Sequence, residues 1–523
     1  MGRMLLAELA RTSAAVAAEP KRVGKIALLA ACLRDAAADE IEVAVAYLSG
    51  DLRQRRTGIG WASLRDAPEP SQDSLLTIAE VDATFAEIAQ LSGSGSHGSR
   101  RDLLTGLMRR ATAPEQRFLT ALISGELRQG ASSAIVVDAV ARASDLPVDA
   151  VRYAVMLRGE VGPVAVVALT EGAPGLAAFK LTVGRPLMPM LAQPSDSAST
   201  ALNRLGGEAS IEWKLDGVRV QLHRRGSQVR VFTRTLDDIT ERVPELVEAA
   251  LELPVEAAVL DGEAIALLAD GRPRRFQETA SRIGSRAGVE QARRQIPLTL
   301  FVFDVLHVDG DDLLDRPARD RDKLLTGILP ADLRVPRIVS SDATEAEAFL
   351  ADCLARGHEG VVIKSLEARY AAGRRGAGWL KVKPVHTLDL VVLAAEWGHG
   401  RRRGWLSNLH LGALDLETGG FVMLGKTFKG LTDAMLEEQT ARLLELEASR
   451  NDWQVTVRPE FVVEVAFDGV QTSSRYPGGV ALRFARVVRF RPDKHPTDAD
   501  TIGSVRAIHA RADGAPPATS DSR

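Results

Sequence analysis

Glu212-Trp213-Lys214-Leu215-Asp216-Gly217-Val218-Arg219 is the stretch that decides how the middle of the chain folds. Immediately after it, Val218, Val220 and Leu222 alternate with Arg219, Gln221 and His223, a Gly226-Ser227 turn follows, and Val229 to Arg234 runs back. Alternation on both sides of a glycine-containing turn predicts a β-hairpin. Lys214 falls where the preceding strand ends, a place from which a lysine can meet a phosphate. By alternation, Arg219 faces away from Val218, Val220 and Leu222, towards any ligand lying over the sheet. An ordinary exposed turn fits the same eight residues, because Lys-x-Asp-Gly arises readily by chance.

The choice of lysine at position 214 gains weight from the rest of the chain. Its 523 residues include 66 Lys and Arg against 69 Asp and Glu, a formal charge of −3. Only 11 of those 66 cations are lysine. Where arginine does nearly all the cationic work, a lysine marks a task arginine cannot do: arginine never deprotonates, whereas a lysine amine can become a neutral nucleophile. The overall charge does not itself predict a polyanionic partner, but such binding needs only local cation density. Arg272–Arg275, Arg374-Arg375 and Arg401-Arg402-Arg403 with Trp405 supply it, although any one of them is also an unremarkable solvated turn.

Outward from the hairpin, the length predicts several domains. Residues 1–190 are rich in Ala and Leu at helical spacing. Phe118, Leu119, Leu122, Ile123 and Leu127 form one stripe behind a helix start at Pro114, and Ser92–Ser99 reads as a flexible loop. Met1–Pro20 superficially has the look of a secretory leader, but Glu8 and Arg11 interrupt its apolar part, so a helix and a cytoplasmic location are expected. Residues 184–200 carry three prolines without periodicity and read as a linker. Strand-like segments at 298–306 and 360–364, with helical stretches between, make 191–384 a mixed α/β domain. From 385 to 508 strands return, clearest at Phe461–Phe467, and a helical segment at Asp433–Glu447 interrupts them; a small β-barrel fits. Residues 509–523 are expected to be a disordered tail. No apolar run is long enough to span a bilayer. Cys32 and Cys353 are too few for a disulfide framework or a four-cysteine zinc site and are expected to be buried.

Beyond the hairpin, Asp261-Gly262-Glu263, Phe301-Val302-Phe303-Asp304, Glu359-Gly360-Val361-Val362-Ile363-Lys364, Trp379-Leu380-Lys381-Val382-Lys383 and Arg483-Phe484-Ala485-Arg486 with Arg491-Pro492-Asp493-Lys494 follow in order. With Lys214–Arg219, this series resembles the motifs of the covalent nucleotidyltransferases, which comprise DNA ligases, RNA ligases and mRNA capping enzymes. Five of the eleven lysines fall within it. Gly125–Gly130 and Pro189-Met190-Leu191-Ala192 further resemble the helical DNA-binding domain, and the segment after it, of ATP-dependent DNA ligases.

The resemblance implies three domains: an all-α DNA-binding domain (1–190), an adenylation domain (191–384) and an OB-fold β-barrel (385–508). It implies that Lys214 takes AMP from ATP, that the AMP passes to the 5′-phosphate of nicked double-stranded DNA, and that the 3′-hydroxyl then displaces it. It also implies that Glu212, Arg219, Arg234, Glu263, Phe303, Arg375, Lys381 and Lys383 bind the nucleotide, with Phe303 stacked on adenine. Arg483, Arg486 and Lys494 would meet pyrophosphate from the barrel, and Glu263 and Glu359 would hold Mg²⁺, which takes one or two carboxylates with phosphate oxygens and water. Neighbouring cations and desolvation are expected to lower the Lys214 pKa. Ala485 departs from the proline common at its position. A monomer without membrane attachment is expected.

A GTP-using capping enzyme or an RNA ligase shares the lysine but typically lacks the helical domain, and an NAD-dependent ligase carries a four-cysteine zinc site. A non-catalytic DNA-binding relative has no reason to retain Lys214, Glu263, Glu359 and Lys381 together. Lys214→Arg keeps the charge but removes the nucleophile. On denaturing gels after incubation with labelled ATP, the natural chain is expected to carry label and the variant none; a labelled variant contradicts the assignment.

Overall fold

The computed structural model describes residues 3–54, 57–64, 67–93, 95–371, 375–399 and 402–512. Leu6–Ala177 forms a helical unit. Its first helix, Leu6–Ala18, buries Leu6, Leu9 and Val16 in one core with Leu29, Tyr47, Phe85, Leu119 and Val140. The helix at Ala113–Ile123 starts from a Thr112/Glu115 capping box with Pro114 in its first turn, as a helix entry favours. It stops before Gly125, at φ +68°, so Leu127 joins the core from the next loop and not from the helix. Half of the serine-glycine tract is ordered differently from expectation: Gly95, at φ +81°, caps a helix that begins at Ser96. Ser94 lies outside the described residues.

The segment read as a linker is bound along its length. Three side chains on one face of the hairpin reach its backbone. His223 Nδ1 accepts from Gly184 N at 3.1 Å, Gln221 Oε1 accepts from Leu187 N at 2.9 Å, and Arg219 Nη1 donates to Met190 O at 2.5 Å. Leu187 and Met190 are buried beside Met156 and Leu157 of the helical unit and Val259, Leu306, Tyr370 and Trp379 of the next. Absence of periodicity marked an extended strap, not a free spacer.

The central region is two five-stranded sheets. Its strands are β1 (Leu191–Pro194), β2 (Ala209–Lys214), β3 (Val218–Arg225), β4 (Gln228–Thr233), β5 (Ala257–Ala266), β6 (Leu298–Val308), β7 (Asp311–Asp312), β8 (Arg337–Ser340), β9 (Gly360–Ser365) and β10 (Arg375–Val382). One sheet runs β1-β10-β9-β2-β8 and the other β4-β3-β5-β6-β7. The turn Leu215–Gly217 therefore carries the chain from one sheet to the other, and Lys214 stands at the crossing. Gly217 is required there: a Cβ would lie 2.5 Å from Ala264 O. Strand β10 is internal, flanked by β1 and β9; Lys381 lies on it, and Lys383 follows one residue beyond its end.

The C-terminal unit contains β11 (His386–Trp397), β12 (Leu406–Leu414), β13 (Phe421–Thr427), β14 (Glu447–Arg450), β15 (Gln454–Val457), β16 (Val462–Phe467), β17 (Gly469–Thr472), β18 (Val480–Arg483) and β19 (Arg486–Phe490). The long β11 pairs with β16 through its first half and β15 through its second, with β12 along its other edge, which curls the sheet around Leu390, Val392, Leu411, Val463 and Phe467. A helix, Asp433–Glu445, packs beside it. A last helix runs to Ala512, beyond the expected start of the tail at 509; residues 513–523 lie outside the described residues. Both cysteines are buried. Among the described residues no helix is long and apolar enough to cross a membrane.

Gly360 opens β9 at φ +144°, and a Cβ there would lie 2.3 Å from Val382 O. Gly360→Ala is expected to lower stability by about 2 kcal/mol or more, read as an earlier denaturation midpoint. An unchanged midpoint would show that the β9–β10 contact yields without cost.

Candidate active site

A cleft of about 550 Å³ lies between the two sheets, lined among others by Glu212, Lys214, Arg219, Arg234, Glu263, Phe303, Glu359, Lys364, Trp379 and Lys381. Strand pairing builds it. Lys214 on β2 sits opposite Gly360 on β9, and Glu359 N donates to Lys214 O at 3.0 Å, which sets the Glu359 side chain against Lys214 Nζ. Arg219 on β3 sits opposite Glu263 on β5, so both project from one face.

The electrostatics at Lys214 differ from expectation. Burial alone would lower its pKa, but contact with Glu359, helped by Glu263 and Asp216, raises it above the ordinary lysine value. Lys214 is thus an ammonium, ion-paired to Glu359. Burial would raise Glu359, but Lys214 and then Lys383 hold it below the usual carboxylate range. Glu263 is pushed up to about 7, chiefly by burial and further by Glu359 and Asp216. The expected cationic influence falls instead on Lys381, lowered by burial, Lys383 and Lys214.

At the deepest part of the cleft, Glu212 Oε2 lies 2.5 Å from Lys364 Nζ, with both side chains 6% exposed. The Phe303 ring meets Trp379 edge-on, centroids 6.1 Å apart, while the Arg219 guanidinium lies 5.2 Å from the Phe303 centroid. Arg219 does not extend into open space over the sheet. Besides Met190 O, it bonds Asp261 Oδ2 at 2.5 Å, and Asp261 also accepts from Tyr370 OH at 2.5 Å. Arg234 lies exposed at the rim. The backbone of Arg375 pairs with Leu191, and its side chain lies outside what is described.

The barrel closes on this region unevenly. Arg483 Nη1 donates to Asp216 Oδ2 at 3.1 Å and stacks over Phe276, 5.5 Å from its centroid. Lys383, expected at the nucleotide, is instead 2.5 Å from Asp468 on the barrel, which also faces Arg486 at 3.5 Å. Lys494 is not brought to the cleft: it pairs with Asp389 of β11 at 2.6 Å, beside Arg491. Sequence reasoning assigned no role to Lys364, Asp216, Asp261 or Asp468. The scarcity of lysine was a usable signal for Lys364; nothing local signalled Asp468, whose partners are remote in sequence.

Among the described residues, no group of three or more His, Cys, Asp or Glu is arranged to hold a metal. The donor set present is Glu263 and Glu359. No hydrogen bond to the Glu263 carboxylate is present among the described residues, and two carboxylates match a cation that draws its other ligands from phosphate and water.

Three family models match: "DNA ligase N terminus" over residues 65–141, "ATP dependent DNA ligase domain" over 189–383 and "ATP dependent DNA ligase C terminal region" over 402–494. A probable DNA ligase of Anaeromyxobacter dehalogenans is 59% identical over 97% of this chain and all of its own length. One of Mycobacterium marinum is 57% identical with the same coverage. The solved structure named Pmar-Lig_Pre superposes at a TM-score of 0.64 with 20% identity, over 92% of this chain and 99% of its own, a likeness of fold.

Asp261 is 1% exposed and Arg219 16%. Asp261→Asn leaves that guanidinium without its counter-charge and is expected to cost about 3 kcal/mol of stability. A denaturation midpoint equal to that of the natural chain would contradict the pair's structural role.

Proposed function

This chain belongs to the ATP-dependent DNA ligase family, and on that premise we propose that it seals nicks in duplex DNA by carrying AMP on Lys214. The observation that carries the assignment is Lys214 itself: a lysine at the crossing of two sheets, in contact with Glu359 and facing a nucleotide-sized cleft. In the first step, the Nζ–phosphorus bond forms at the α-phosphate of ATP, the bond to the β-phosphate oxygen breaks, and pyrophosphate leaves. The amine must first lose its proton to solvent; contact with Glu359 opposes that loss, so the pair must separate before attack. In the second step a 5′-phosphate oxygen at the nick displaces lysine from AMP. In the third the 3′-hydroxyl attacks the 5′-phosphate and releases AMP.

Glu212 and Phe303 bound the base end of the cleft, and Lys381 the phosphate end. Glu263 and Glu359 are the residues that would hold Mg²⁺, which when bound supplies neutralisation of phosphate charge. The helical unit corresponds to the family's N-terminal region over 65–141, which supports its reading as the DNA-binding domain.

The contacts of the barrel divide its cations. Arg483 reaches the Lys214–Gly217 turn through Asp216, whereas Lys494 is committed to Asp389. Arg483→Ala is expected to slow AMP transfer to Lys214 by about tenfold or more. Lys494→Ala is expected to change it by less than about threefold. Rates come from labelled ATP, and mass spectrometry of the natural chain should place one AMP on Lys214. Absence of that adduct, or equal losses in the two variants, contradicts the reading.

A further inference from the structure

We propose that Lys364 is the positioning residue that decides which nucleobase is accepted, by holding Glu212 as an acceptor-only carboxylate at the closed end of the cleft. The inference rests on the reading of the cleft as the AMP site.

Lys364 touches both the carboxylate and the aromatic walls at the base end. Besides its contact with Glu212, its Nζ donates to Phe303 O at 3.1 Å and lies 4.7 Å from the Phe303 ring centroid and 4.3 Å from that of Trp379. One ammonium thus fixes the polar end of the pocket relative to its aromatic walls. The cleft is graded: Glu212 and Lys364 are 6% exposed, against 25% for Lys214 and 19% for Glu359. The uncharged, flat part of a nucleotide fits the closed end, and its phosphates fit the open one.

The group presented to the base is therefore Glu212. Other groups facing it are Ser210, whose Oγ donates at 3.2 Å, and more remotely Arg337, which attracts it, and Asp304, which repels it. An ionised carboxylate can only accept hydrogen bonds. It complements the exocyclic amine of adenine, a donor; guanine offers a carbonyl oxygen at that position, and acceptor would meet acceptor. Burial nonetheless pushes the Glu212 carboxyl upward, against the pull of Lys364. Without the ammonium, Glu212 keeps its proton more readily and can donate to the guanine oxygen. Adenine selection then depends on a side chain that need not touch the base.

The test uses the full chain and its Lys364→Met, Lys364→Arg and Glu212→Gln variants. AMP or GMP transfer to Lys214 is followed across concentrations of labelled ATP and GTP, separating kcat from KM. Lys364→Met should reduce the ATP-to-GTP ratio of kcat/KM by about tenfold or more, mainly through KM, and Lys364→Arg should restore it. Glu212→Gln, whose amide can donate while Lys364 stays, should relax selection in the same direction, and it decides the question if the Met variant does not fold. A Met or Gln variant that loses activity with both nucleotides by one common factor overturns the proposal and leaves the AMP site standing. A natural chain that takes no AMP on Lys214 overturns both.

Discussion

One guanidinium holds together the pieces from which the cleft is made. Arg219 starts from β3, reaches Asp261 on β5, takes the carbonyl of Met190 from the strap, and covers the Phe303 ring from β6. Tyr370, contributed by the segment after β9, closes on the same carboxylate. An Asp–Arg pair this deep is costly to desolvate, and separating it is costlier still, so the elements that carry its partners are held in one arrangement. The walls against which a nucleotide would lie inherit their positions from that pair.

The strap shows the same economy of means. His223, Gln221 and Arg219 occupy alternate positions of β3, and they reach backbone groups at 184, 187 and 190. A period of two on the strand meets a period of three on an extended chain, and each polar side chain on this buried face finds a partner there. The apolar contacts of Leu187 and Met190 then carry the join across to the helical unit. The strand that follows Lys214 is thus joined, through the strap, to the helical unit.

Much of this was legible beforehand. The hairpin followed from alternation around Gly226, and the barrel strand at Phe461–Phe467 from the same rule. The proposal of Lys214 as nucleophile rests on the scarcity of lysine together with the ordered motifs, and the structure sets that lysine in the cleft. What could not be read was pairing across long separations. Nothing near Lys383 announces Asp468, 85 residues away, and nothing near Lys494 announces Asp389. The raised Lys214 pKa was missed for a related reason: counting cations along the chain predicted a lowered value, whereas strand register set a carboxylate in direct contact. The strap was misread because irregular sequence was equated with freedom, when buried polar side chains can order a segment that has no period of its own.

The two joins of the central region differ in kind. The helical unit is attached through a shared apolar cluster, whereas the barrel keeps its core to itself and meets the central region through the ion pairs Arg483–Asp216 and Lys383–Asp468. Partly exposed ion pairs contribute at most about 1 kcal/mol each and weaken as counterions crowd in, over a Debye length of about 8 Å in physiological salt. The barrel is accordingly held by a grip that a polyanion can compete for, since phosphates arriving at the interface would offer the same lysine and arginine equivalent partners. Release of the barrel and capture of a charged strand then become a single exchange of counter-charges, with little apolar surface to expose along the way.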